Sequence, residues 1–194
     1  MADDPTIRSG PDRLPPIPDE QMTFEQAAAV QEILAGPRGM VPAPYVPLMR
    51  SPGLMQSTQK MGEYLRFRSP LPENVKELAI LVIAALWGQD YEWAFHLPLA
   101  LKAGVGRDTA EALARGERPV TMSAEEEVAH DFLIELNAAK GVGDGLYRRA
   151  ERVFGEQGVM DLVGFSGCYS LLAMVMNAAR TPAPAAEIPL TSRR

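Results

Sequence analysis

Cysteine is nearly absent from this chain: Cys168 is the only one in 194 residues. An intramolecular disulfide is therefore excluded, as is any C-x-x-C redox or zinc motif, and a reducing cytoplasm is the expected compartment. Histidine is almost as scarce, with His96 and His130 alone. Positive charge is in deficit, 19 Lys and Arg against 25 Asp and Glu for a net charge of −6. That balance argues against a nucleic-acid partner, which is usually met by basic patches. Long apolar runs are missing too. The longest, 78–87, is about half of the roughly 20 residues a membrane span requires, so no membrane insertion is expected. The N-terminal MADDPTIRSG has neither a basic stretch nor an apolar core, so no secretory signal is expected either. Nothing alternates with period two over a useful length, which removes the usual mark of strands.

What remains points to an all-α fold. With 46% hydrophobic residues, the chain is large enough to bury a core as one domain, expected over residues 21–180. Before it, residues 1–20 carry Pro5, Pro11, Pro15, Pro16 and Pro18, which forbid a regular helix and predict an extended arm of the kind that often lies across a neighbouring subunit. Thr23 with Gln26 three residues on forms a capping-box pattern for a helix to about residue 35, stopped by Gly36-Pro37. The proline-broken segment 36–53 reads as a long ordered loop, and its Met40, Val41, Tyr45, Val46 and Leu48 suit a lid or an interface. Further helices are predicted at about 51–67, 72–87, 89–102, 107–115, 123–140, 144–154 and 157–179. Residues 181–194 are expected to be a flexible tail.

Two of these helices carry ionisable groups among apolar neighbours. Leu81, Ala84 and Gly88 share the face of Glu77, and Glu92 and His96 are neighbours at i and i+4 on the next helix. Because Trp93, Ala94, Phe95, Leu97, Leu99, Ala100, Leu101 and Ala103 point in nearly every direction, the second helix is expected to be buried, and the pair shielded with it. Burial raises a carboxyl pKa and a nearby opposite charge offsets it; such perturbation is typical of working acid–base groups. The plain alternative is a solvated Glu–His helix pair worth about 0.2–0.5 kcal/mol, with Glu77 favouring the positive end of its helix. Pro98 removes a hydrogen bond to the carbonyl of Ala94, and a bend there would aim His96. Tyr91 and Trp87 bracket the set and are candidate pocket walls, though aromatic residues there also suit a core.

Other chemistry-bearing residues have simpler readings. Cys168 in FSGCYSLLAMVMN reads as a buried inert thiol in a closely packed helix. His130 beside Asp131 reads as a helix-surface residue. The GVGDG string at 141–145 follows a helix rather than a strand, so it is an interhelical turn and not a nucleotide loop. Arg180, near Asn177, suits the negative end of the last helix, with an anionic substrate or a subunit contact as alternatives. The run Glu125-Glu126-Glu127 is a solvated first turn.

The frame Glu77-x11-Gln89-x2-Glu92-x3-His96 resembles the Glu-x11-Cys-x2-Cys-x3-His signature of the alkylhydroperoxidase D-like, or carboxymuconolactone decarboxylase, family, with both cysteine positions replaced. ELAILVIAALWG resembles the family helix that carries its glutamate. RLPPIPDEQMTFEQAAAVQEILAGPRG, YEWAFHLPLALKAG and NAARTP resemble a cysteine-free subgroup. The resemblance implies an alkylhydroperoxidase D-like helical bundle that assembles into homo-oligomers, commonly dimers, trimers or hexamers.

It implies function only loosely, because fold and chemistry separate readily. In the family's peroxidase branch two cysteines reduce hydroperoxides while the glutamate and histidine move protons; Gln89 and Glu92 stand in place of those thiols, so that mechanism cannot operate. The decarboxylase branch implies neither metal nor organic cofactor. Loss of carbon dioxide leaves a conjugated carbanion that must be stabilised and protonated. The expectation is a cofactor-independent decarboxylase, or a related lyase or isomerase, acting on a small carboxylated lactone or enol-type compound. His96 would be proton donor, Glu77 would orient or recharge it, and Glu92 would hold it protonated; Gln89, Trp87 and Tyr91 would contact substrate. Two carboxylates present an awkward field to an anion, for which Arg50, Arg66 or Arg68 are the candidate cations. The alternatives are a non-catalytic binding or assembly protein on the same scaffold, and a thiol-dependent hydroperoxide reductase using Cys168.

Overall fold

Local capping chemistry sets most helix ends. In the computed structural model, which describes residues 9–191, α1 spans Phe24–Ala35 and opens on the Thr23–Gln26 capping box. A short helix, α2 (Tyr45–Leu48), interrupts the proline-rich loop. Next comes α3 (Pro52–Phe67), with proline in its first turn although the Ser51 side chain makes no capping bond. Helix α4 (Glu73–Trp87) stops at Gly88, whose φ of 53° lies in the left-handed region that ends helices cheaply only at glycine. Gln89 then caps α5 (Asp90–Ala103), and Gly104 with φ of 105° closes it. The short α6 (Arg107–Ala114) follows. A second capping box, Ser123 with Glu126, starts α7 (Ala124–Ala139).

The last helix, α8 (Asp144–Ala179), is continuous in its span but broken at Gly155, where φ of 68° and ψ of 172° leave helical space. A Cβ at Gly155 would meet nothing within 4 Å, so the backbone angle and not crowding demands glycine. The two helices expected on either side of residue 155 thus meet end to end. By length and composition α8 is also apolar enough to cross a membrane, but its apolar face packs against α3, α4 and α7.

Helix α4 is the centre of the bundle. It touches α5, α6, α7 and α8, and Leu78, Ala79, Ile80, Leu81, Val82, Ile83 and Ala84 are all buried around its circumference. Burying each of the larger aliphatic side chains contributes about 1.5–3 kcal/mol, enough to hold one polar group, Glu77, inside the same helix. The two-residue connection Gly88-Gln89 folds α5 back onto α4 and brings the start of one beside the end of the other.

Three segments differ from expectation. Of the proline-rich arm, residues 1–8 lie outside the described residues; the remainder lies on its own chain, with the backbone N–H of Arg13 donating to the carbonyl of Ala179 at 2.8 Å. Arg50 braces it from below, donating to the carbonyls of Leu14 and Pro15. The C-terminal stretch 181–191 is not loose. Ile188 and Leu190 are buried, the Trp93 indole donates to the Ile188 carbonyl at 2.6 Å, and the N–H of Thr191 donates to the carbonyl of Ala114. The short apolar IPL inside a polar tail suffices to dock it. His130, expected on the surface, is 4% exposed and pairs with Asp131 at 3.0 Å.

Candidate active site

Glu77, 1% exposed, is the hub of a charged chain that runs through the apolar centre. One carboxylate oxygen accepts from Arg66 Nη1 at 2.5 Å, and the other faces His96 Nδ1 at 2.8 Å. The second imidazole nitrogen, Nε2, lies 3.4 Å from Glu92 Oε2, one helical turn away on α5. The order Arg66, Glu77, His96, Glu92 therefore alternates cation and anion. Arg66 arrives from the end of α3, eleven residues before Glu77, because the short link between α3 and α4 turns the chain back on itself.

Electrostatics follow from this order. Burial pushes the Glu77 carboxyl up, but the hydrogen bond and charge of His96, joined by Arg66, outweigh it and hold its pKa below the ordinary value. Burial likewise pulls His96 down, yet its bonds to Glu77 and Glu92 and their charges hold the imidazolium above its usual pKa. Arg66 loses to burial and gains more from Tyr169, Glu77 and Glu73. The result is an imidazole whose charged form is favoured by a carboxylate on each ring nitrogen and shielded from bulk water, an arrangement suited to holding a proton for delivery.

A cavity of about 270 Å³ opens beside this chain. Arg66, Glu92, His96 and Tyr169 line its polar side, Phe67, Phe95, Leu99 and Leu172 its apolar side, and the loop from Pro37 to Pro44 its rim. Tyr169 packs edge-on to the His96 ring with centroids 5.6 Å apart, and Phe95 does the same from the other side at 5.1 Å. These rings fix the imidazole plane. Glu92 keeps one oxygen, Oε1, buried without a hydrogen-bond partner.

Of the expected site residues, Glu92, His96 and Tyr91 line this cavity, and Glu77 stands behind His96. Gln89 and Trp87 stand outside it. Gln89 Oε1 caps α5 by accepting from the N–H of Tyr91 and of Glu92, while its amide donates to Asn177. The Trp87 indole donates to Ser170 at 2.9 Å. Both are architectural by these contacts. Among the candidate cations Arg66 reaches the site; Arg50 braces the N-terminal arm, and Arg68 stacks on Tyr64 and pairs with Glu63. Sequence reasoning missed Tyr169 and Arg38, and took Tyr45 for a lid or interface residue rather than part of the cavity wall. A phenol in the otherwise small and apolar FSGCYSLL run, and an arginine inside an apolar proline-rich loop, were the available signals.

Cys168 is fully buried, and burial, reinforced by the charge of Glu92, pushes its thiol up to about 12. Among the described residues no group of three or more His, Cys, Asp and Glu side chains is arranged to hold a metal ion.

The all-helical bundle, with a buried Glu–His pair on consecutive helices, has the alkylhydroperoxidase D-like fold. The sequence model of the carboxymuconolactone decarboxylase family matches residues 52–134, a segment holding Arg66, Glu77, Glu92 and His96. A similar solved structure is the alkylhydroperoxidase AhpD core, an uncharacterized peroxidase-related protein from Ralstonia eutropha. It superposes with a TM-score of 0.71 over 91% of this chain and 94% of that one, at 14% sequence identity, a likeness of fold. No curated protein sequence matches the chain.

Proposed function

We propose that this protein is a cofactor-independent decarboxylase, or a related lyase or isomerase, acting on a small carboxylated lactone or enol-type compound. The observation that carries the proposal is His96, buried at a cavity wall with a carboxylate on each ring nitrogen. In the reaction the bond from the carboxylate carbon to the ring breaks, carbon dioxide leaves, and the electron pair passes into the conjugated lactone or enone system. A proton must then reach carbon. His96 supplies it from Nε2 by way of Glu92, a cavity-lining carboxylate whose Oε1 is buried without a hydrogen-bond partner. Glu77 and Arg66 act behind the imidazole, holding it charged and oriented, and solvent recharges the pair after turnover. General acid–base help of this kind contributes about 10²- to 10⁴-fold in rate.

Hydroperoxide reduction through Cys168 is disfavoured, because the attacking species is a thiolate and this thiol is buried with a raised pKa. The test is a panel of carboxylated five-membered lactones in deuterium oxide, followed by carbon dioxide release and by mass of the product. Release with one solvent deuterium on carbon, lost in His96→Gln, is the expected result. Tight binding of the same compounds without release would replace the enzyme with a binding protein.

A further inference from the structure

Two further residues that line the same cavity each carry a buried polar atom without a hydrogen-bond partner. Tyr45, on α2, is 2% exposed, and its hydroxyl is buried without a hydrogen bond. Arg38, on the proline-rich loop, holds its guanidinium 5.6 Å from the centroid of the Tyr45 ring and 5.6 Å from that of Phe67, and its Nε is likewise buried and unpartnered. Both residues line the cavity. They converge on one spot: a methyl at Gly62 would stand 2.8 Å from Tyr45 Oη and 3.1 Å from Arg38 Nη2. Glycine there leaves room for both donors at once.

Buried donors are normally satisfied, and a buried group left without a partner costs the protein its lost hydration. Here two donors and one acceptor, Glu92 Oε1, are unsatisfied around a single cavity. Their complement is a molecule that accepts from Arg38 and Tyr45 and donates to Glu92. Charge sharpens the choice. With His96 protonated, three cations (Arg38, Arg66 and His96) face two carboxylates (Glu77 and Glu92), so the formal charge around the cavity is one positive. Arg66 is consumed by Glu77 at 2.5 Å, whereas Arg38 forms no ion pair among the described residues. The cation missing from the sequence reading is thus on the loop.

We propose that Arg38 and Tyr45 form a carboxylate-binding subsite, and that the ligand is a singly charged acid whose far end carries a hydroxyl or enol for Glu92. The inference rests on reading this cavity as the substrate site. It makes Arg38 and Tyr45 the specificity-determining pair: they anchor the anion in the cavity that Glu92 and His96 also line. The anchored carboxylate fixes which carbon meets the proton.

The test is calorimetric binding of benzoate and 4-hydroxybenzoate, each against its isosteric amide, to the full chain and to Arg38→Met and Tyr45→Phe. In the parent protein at least one acid is expected to bind about tenfold or more tightly than its amide, as a charge-assisted hydrogen bond requires. Arg38→Met should erase that preference. Tyr45→Phe should weaken the acid about 3- to 10-fold while leaving the melting temperature unchanged or raised, because the hydroxyl it removes is unsatisfied in the free protein. A structural role for Tyr45 would lower the melting temperature instead. Equal affinity for acid and amide in the parent, failure of both acids to bind, or an acid preference that survives in Arg38→Met overturns the subsite. Acid preference without turnover of any lactone removes the decarboxylase reading and leaves the subsite standing; turnover with an unchanged KM in Arg38→Met does the reverse.

Discussion

Glu77 Oε2 and His96 Nδ1 lie 2.8 Å apart across the α4–α5 contact, while Arg66 closes on the other Glu77 oxygen. Each carboxylate oxygen thus has a partner and the group is buried away from the cavity lining, so its action reaches the cavity only through the imidazole. His96→Gln keeps volume and hydrogen bonding but removes the titrating group, so turnover should fall by about 10²- to 10⁴-fold. Glu77→Gln should act similarly. The double variant should be little worse than either alone, since residues working as one unit are strongly non-additive. Steady-state turnover of an identified lactone by all three variants checks this; full activity in His96→Gln would reduce the pair to architecture.

The same pair sets a pH signature. His96 has its pKa raised in the fold, so its contribution is complete below its unfolded value near 6.5 and is lost as pH rises through the higher folded value. Glu77 has its pKa lowered, so its contribution is complete above about 4.5 and is lost as pH falls through the lower folded value. Both are in full force between about pH 4.5 and 6.5. The melting temperature of the parent minus that of His96→Gln should therefore be largest in that window and shrink above neutrality. A difference that grows with rising pH would mean that the imidazole is held neutral.

Helix ends and the paired carboxylate and imidazole were legible in the sequence because they depend on neighbours three, four or a fixed dozen residues away. Thr23 with Gln26, Gly88 and Gly104 are of this kind, and so are Glu92 with His96. Arg66, Tyr169 and Arg38 were not legible as a set, since they meet only when three helices and a loop pack. Gln89 and Trp87 misled through adjacency: they flank the signature, but the turn between α4 and α5 points them toward Asn177 and Ser170. His130 misled because one polar position on an amphipathic helix does not reveal which neighbour covers it.

Cys168 should be inert. Its thiol is buried and pushed up to about 12, so the thiolate fraction at neutral pH is negligible. An aromatic disulfide reagent should leave the native protein unmodified and react once per chain in denaturant, and peroxide with a dithiol reductant should show no steady turnover. Peroxide consumption that disappears in Cys168→Ser would overturn the assignment.

Self-association is expected from the surface around the cavity mouth. Met40, Phe67 and Phe95 are exposed there, and Phe24 lies almost bare on α1; apolar side chains gathered at a surface commonly mark contacts. Light scattering at micromolar concentration should give a mass of two or more chains. A monomer sinks the expectation.

Arg66 tests whether the buried chain of charges stabilises as well as orients. Its side chain is mostly buried and bonded to the least exposed carboxylate of the site, so Arg66→Met fills the volume but leaves Glu77 with His96 as its sole ionic partner. Removing one member of a buried pair costs about 3–5 kcal/mol, and the retained imidazolium places this case near the lower bound, about 3 kcal/mol at pH 7. The loss must depend on pH in a defined direction. Glu77 in the parent stays ionised to below its ordinary pKa because Arg66 and His96 hold it there; in the variant it takes up a proton more readily and escapes the penalty of a bare buried charge. Acidification should therefore narrow the gap between parent and variant, with the two converging as pH falls through the parent's depressed Glu77 value. Urea unfolding at pH 7 and at pH 4 measures it directly. Equal stability at pH 7, or a gap that widens in acid, would show that Arg66 does not carry the charge of Glu77.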